Sequence, residues 1–258
     1  MSSLNDCLKK ISILEVLIIL LILMGLSILL GFYGYSIGED WIYLGIIVYF
    51  IYKLRFFGEG FKQDFNNIFS DISPKSLLTI VLVNVFFSYG MLYIAIFAWD
   101  NIPALNSFLG MSILPLLPIN SLLGIGSSLS IIFISPVCEE LLFRGVFLNR
   151  LKLFVPTSYA IAITSILFGS LHNYGNIISA MVFAVCMCII FLKTKNILTC
   201  IFAHFLNNLL AEIFVHMDSG NLIFTNDVFI FIFSILAIVS FYLIVISVRQ
   251  EWKHIDKR

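Results

Sequence analysis

The chain has 258 residues, of which 60% are hydrophobic and 12% charged, with a formal net charge of zero and a mean hydropathy of +1.05. Soluble domains carry about 25% charged residues, so this composition excludes an ordinary soluble protein. The balanced charge offers no basic surface for nucleic acid. What remains is a polytopic, all-α membrane protein.

About twenty apolar residues cross a bilayer as a helix. Lys9 and Lys10 precede the first apolar run, 11–32, whose only charge is Glu15. That run is too long for the core of a cleaved signal peptide and reads as a retained first span. The predicted spans are 11–36, 41–57, 76–98, 122–148, 157–172, 176–193, 197–215 and 227–248. The apolar stretch 105–119 is broken by Pro115 and Pro118 and reads as re-entrant or interfacial. Between the second and third spans, Phe61, Phe65, Ile68 and Phe69 alternate with Lys62, Asp64 and Asp71. This pattern suits a short amphipathic helix at the membrane surface.

Lys and Arg gather in alternate loops. Lys53, Arg55, Lys62 and Lys75 follow the second span; Arg150 and Lys152, Lys193 and Lys195, and the tail from Arg249 to Arg258 follow later ones. The opposite loops hold Glu39, Asp40, Asp100, Asp218 and Asp227. By the positive-inside rule this predicts about eight transmembrane helices with the N and C termini cytoplasmic. No repeat or soluble domain interrupts residues 1–258, which read as a single membrane domain. Cys7, Cys138, Cys186, Cys188 and Cys200 show no C-x-x-C spacing and read as small buried hydrophobes rather than disulfides or metal ligands.

Within this apolar chain the acids Glu139 and Glu140 stand side by side, followed by Arg144. Ionisable groups at membrane depth cost roughly 2.5–3.5 kcal/mol each on insertion scales, so they mark function by default. Glu140 and Arg144 are four apart and share a helix face. Glu139 is turned by about 100° from its neighbour. The spacing therefore assigns Glu140 to an ion pair with Arg144 and leaves Glu139 for general-base work. The fifth span carries Phe168 and His172 one turn apart, and the seventh carries His204 and Asn208 one turn apart, with Asn207 turned away. His216 reads as a loop residue and His254 as part of the basic tail.

An acid, two imidazoles and an amide can deprotonate a water and donate hydrogen bonds to a developing oxyanion, which is what hydrolysis of a peptide bond requires. Alternatively, Glu139, His172 and His204 could hold zinc with an open fourth position, although the soluble H-E-x-x-H motif is absent. No G-x-S-x-G is present.

The three signatures Glu139-Glu140-x-x-x-Arg144, Phe168-x-x-x-His172 and His204-x-x-x-Asn208 together resemble the CAAX-protease and bacteriocin-processing family of intramembrane endopeptidases, also called CPBP or Abi. That family looks related to the Ras-converting CAAX endopeptidase. The resemblance covers about 120–212, the expected catalytic core. It implies that Glu139 and His172 activate water, that His204 and Asn208 stabilise the oxyanion, and that Arg144 pairs with Glu140. Members are often called metalloproteases; the expectation here is a metal-free, glutamate-activated water, with zinc as the runner-up.

The partners expected are membrane lipid and a peptide or protein substrate entering from the membrane. Peptide maturation, bacteriocin processing and self-immunity would all fit. The expected location is the cell membrane, multi-pass, or an internal membrane in a eukaryote. The competing readings are a non-catalytic immunity or binding protein and a proton-coupled transporter. No inverted repeat or pair of broken helices supports the transporter.

Overall fold

The computed structural model describes residues 4–35, 40–54, 58–102, 129–172, 174–218 and 226–255. The expected re-entrant stretch 105–119 and the start of the fourth span lie outside them. The described residues are helical, with no strand among them. In chain order the helices are α1 (Leu4–Leu8), α2 (Ile13–Phe32), α3 (Asp40–Leu54), α4 (Glu59–Asn66) and α5 (Pro74–Asn101). Then come a composite helix α6 (130–151), α7 (Thr157–Ser170), α8 (Ile177–Thr194), α9 (Ile197–Met217) and α10 (Asp227–Ile255).

The helix ends follow from local chemistry. Ser73 accepts the Ser76 N–H at the start of α5, with Pro74 in the first turn where a missing N–H costs nothing. Asn196 accepts the Leu198 N–H at the start of α9. α8 ends at Lys195, whose left-handed φ of 54° turns its N–H onto the Phe191 carbonyl. Glycine usually fills such a position.

Among the described residues, five helices are long and apolar enough to cross a membrane: α2, α5, α8, α9 and α10. α3 and α7 have 15 and 14 residues. At about 1.5 Å per residue each falls short of a hydrocarbon core about 30 Å thick.

Burial separates inner from outer helices. α8 is the most buried span, whereas α2 and α10 turn most of their apolar surface outward, as lipid-facing helices do. Leu14, Ile18, Leu21 and Ile28 of α2 and Val239 and Tyr242 of α10 are exposed. α5 and α10 approach closely because Gly90 has no side chain. A Cβ there would come 2.2 Å from the Ala237 Cβ and 2.5 Å from the Phe233 carbonyl. Gly169 does the same for α7 on α8, where a Cβ would meet the Met181 side chain at 2.3 Å. The lone acid of the first span, Glu15, is paired with Lys53 of α3 at 2.6 Å.

The expected surface helix is present as α4, shorter than the 58–75 loop that was read for it. Its Phe61 and Phe65 rings stack. Asp64, assigned to the polar side by the pattern, is buried instead and accepts the Leu4 N–H at 2.9 Å. Non-local contacts explain the difference: Asn196 Nδ2 donates to the Asp64 carbonyl at 2.7 Å, and Thr199 Oγ1 donates to the Ile68 carbonyl at 2.9 Å. The start of α9 thus pins this segment on one side and α1 pins it on the other. α1 also reaches α6. Asn149 Nδ2 donates to Asn5 Oδ1 at 3.0 Å, Arg150 Nε donates to the Ile11 carbonyl at 2.6 Å, and buried Leu8 packs at Gly145.

The five cysteines are free thiols, and all but Cys7 are buried. His216 lies in the last turn of α9 rather than in a loop, with its Nδ1–H donated to the Glu212 carbonyl at 2.8 Å. Its helix runs two residues beyond the predicted span.

Candidate active site

α6 carries both acids and is not a regular helix. It opens with a π turn, Ser130–Ile134, continues as α through Ser135–Glu140, and widens again to π over Leu141–Leu148. In the first π turn the Ser135 N–H reaches the Ser130 carbonyl, five residues back. The next N–H in that register would belong to position 136 and point at Ile131. Position 136 is proline, which has no N–H. The Ile131 carbonyl is therefore left without a helical donor, and Asn208 Nδ2 of α9 supplies one at 2.9 Å. One proline thus explains both the wide turn and the contact that ties α9 to α6. Such π turns often occur at functional sites.

The two acids have different surroundings. Glu140 is fully buried, and its Oε1 accepts from Arg144 Nη1 at 2.8 Å, with Arg144 also at zero exposure. The same oxygen receives His204 Nδ1 at 2.8 Å. An ionised carboxylate can only accept, so His204 carries its proton on Nδ1. Arg144 Nη2 donates to the Ala184 carbonyl of α8 at 3.3 Å. Glu139 keeps 14% exposure, its Oε1 accepts from the Ser135 hydroxyl, and its Oε2 lies 3.9 Å from His204 Nε2. His204 therefore lies between the two neighbouring carboxylates, hydrogen-bonded to Glu140 through Nδ1 and 3.9 Å from Glu139 at Nε2.

Phe168 is the hub between the helices. Its ring lies 4.8 Å from the His172 ring and 6.0 Å from the His204 ring, and the Arg144 guanidinium sits 4.8 Å from its centroid. A cation over an aromatic face is favourable. His172 Nδ1–H donates to the Phe168 carbonyl at 2.9 Å, which fixes that proton and leaves Nε2 as the other ring nitrogen. His204 also packs edge-on to Phe183 of α8 at 4.8 Å.

The structure thus gathers Glu139, Glu140, Arg144, Phe168 and His204 into one cluster and sets His172 against its Phe168 wall. Asn208 lies one turn beyond His204 on α9, held by Ile131. Asn207 is not idle: its Nδ2 donates to Asn208 Oδ1 at 3.4 Å. Ser135, the Ile131 carbonyl, Phe183 and the link from Glu140 to His204 were not read from the sequence. Only Ser135 left a signal there, being four residues before Glu139 on the same face.

Both imidazoles hold Nδ1 to an oxygen and leave Nε2 outward, as metal-bound histidines do. Among the described residues, however, no group of three His, Cys, Asp or Glu side chains is close enough to hold a metal ion. The described residues do not fit a three-ligand zinc centre.

Helices of membrane length around a buried acid–histidine cluster define the class: an all-α membrane protein with a polar site inside its bundle. Residues 120–210 match the family described as type II CAAX prenyl endopeptidase Rce1-like. Over this segment the chain is similar to the CAAX-protease family. No curated protein and no solved structure matches the chain.

Proposed function

We propose that the chain is an intramembrane endopeptidase that hydrolyses a peptide bond of a membrane-associated peptide or protein. The observation that carries this reading is His204 held between two adjacent carboxylates inside an apolar bundle. Buried charges of this kind are expensive to keep. The family match, to a group described as endopeptidases, supports the same reading.

The roles follow from the hydrogen atoms. Ser135 holds one oxygen of Glu139, so the other is the acceptor for a water proton. His172, with Nδ1–H fixed on the Phe168 carbonyl, offers its Nε2 lone pair to the same water. Glu139 and His172 then act as the general base, and the hydroxide formed attacks the scissile carbonyl. The developing oxyanion needs donors. His204 has Nδ1–H committed to Glu140, and its Nε2 is the ring nitrogen that faces the reacting group. Asn208 spends one amide N–H on Ile131 and has a second to give. Two preorganised donors in a water-poor site make an oxyanion hole. Arg144 balances Glu140 and fixes the carboxylate that orients His204. The proton taken by Glu139 is returned to the leaving amine, so no net proton is consumed in cleavage at the site.

The proposed setting is a multi-pass protein of the cell membrane, or of an internal membrane in a eukaryote, with about eight spans and both termini cytoplasmic. The alternating Lys and Arg of the loops support it. The proposed catalytic core is 120–212 within a single membrane domain. Peptide maturation, bacteriocin processing and self-immunity are the roles that such an enzyme would serve.

The test is a comparison of membrane peptides, by mass spectrometry, from cells carrying the wild-type protein and cells carrying Glu139→Gln at equal expression. The reading expects truncated peptides that disappear with Glu139→Gln. Identical peptide sets from the two cells would refute it.

A further inference from the structure

α5, α8 and α10 enclose a groove of about 270 Å³, whose lining contains none of the acid–histidine cluster residues. Its walls are apolar, with Val83 of α5, Ile189 of α8 and Ile244 of α10 among them. The Asn84 amide, also in the wall, donates to the Ile80 carbonyl of its own helix at 2.9 Å. At the end of α8 the lining changes character: Lys193 of α8 and Glu251 of α10 form an ion pair at 2.7 Å, each side chain about a third exposed. Leu243 of α10 is exposed beside the groove, so the groove faces the medium that surrounds α10.

That medium is lipid, because the outward surface of α10 is apolar along a full span. Thr79, Asn84 and Ser247 add a few polar atoms to the lining, but the apolar side chains that dominate it match a hydrocarbon chain better than water. The mouth then selects the headgroup. An anionic lipid would bring its phosphate to Lys193 but also against the Glu251 carboxylate at 2.7 Å from it. A zwitterionic aminophosphate adds to both members of the pair without breaking it: phosphate to the ammonium, ammonium to the carboxylate. We propose that this groove is a binding site for one acyl chain of an aminophospholipid, with its phosphoethanolamine headgroup seated on the Lys193–Glu251 pair. The site is separate from the chemistry proposed above and does not depend on it.

The test uses the full-length protein in phosphatidylglycerol liposomes. A trace of phosphatidylethanolamine, or of phosphatidylglycerol as the comparison, carries a photoreactive diazirine on its acyl chain. Irradiation and peptide mapping then locate the adducts. The proposal expects phosphatidylethanolamine adducts concentrated on the segments around Val83, Ile189 and Ile244. It expects Glu251→Gln, at the partly exposed mouth, to lower them about tenfold, the loss of one charge-assisted hydrogen bond. Val83→Phe, which fills the groove, should remove them while labelling of the exposed face of α2 stays unchanged. Adducts spread evenly over α2 and α10, groove labelling that is equal for the two lipids, or labelling unchanged by Glu251→Gln would each overturn it.

Discussion

Removing the Glu140 carboxylate leaves the Arg144 guanidinium fully buried without its counter-charge. Breaking a buried pair from one side costs about 3–5 kcal/mol, so Glu140→Ala should lower the unfolding temperature in detergent and the yield of folded protein. Glu139 is partly exposed, with the Ser135 hydroxyl and His204 as its polar neighbours, so Glu139→Ala should fold close to normally. Thermal unfolding of the two variants side by side checks this; equal losses would contradict it. Asn208→Ala has two consequences at one position. It removes an oxyanion donor, expected to cost about 10²–10³ in kcat, and it strands the Ile131 carbonyl. Pro136→Ala separates the two, because it gives Ile131 a helical N–H. The double variant Pro136→Ala with Asn208→Ala should recover stability and remain inactive. Recovery of activity would show that Asn208 serves only as a brace.

At the scale of helices, close approach depends on the two glycines. Gly90→Val puts a side chain where the Phe233 carbonyl and Ala237 already stand. Backbone cannot step aside as a flexible side chain can, so a loss of at least about 1–3 kcal/mol is expected, visible as a lower unfolding temperature. The one-turn pairs Glu140/Arg144, Phe168/His172 and His204/Asn208 were legible in the sequence because a helix period fixes which residues share a face. The fixed period says nothing about which faces meet. Glu140 therefore read as the partner of Arg144 alone, although His204 of another helix claims the same oxygen. Asp64 read as solvated for the same reason: its burial comes from α1 and α9, far away in the chain. The π turns of α6 were also unread, since they follow from a proline whose effect appears only once the hydrogen-bond register is known.

For the molecule as a whole, pH and metal give two measurable expectations. Burial, the larger cause, and nearby Asp6 push the Asp64 carboxyl above its usual value, against the lowering by the Leu4 N–H. A raised value means that folding disfavours the charged form. This penalty is full above the folded value and vanishes as pH falls below the unfolded value of 3.8. Asp64→Asn keeps an oxygen for Leu4 and removes the penalty. It should therefore unfold at a higher temperature than wild type at neutral pH, with the gap closing towards about pH 4. A gap that widens on acidification would reverse the sign. Because the donors among the described residues form no three-ligand set, a tight chelator should leave cleavage unchanged; loss of activity restored by added zinc would contradict the metal-free reading.

The most direct trial of glutamate-activated hydrolysis follows the oxygen atom itself. Purified protein in liposomes would receive membrane peptides from cells that lack it, in heavy-oxygen water, and new peptide C-termini would be read by mass spectrometry. The account predicts one heavy oxygen at each new C-terminus with wild type and no such products with Glu139→Gln. Labelled products at the same level from Glu139→Gln would contradict it.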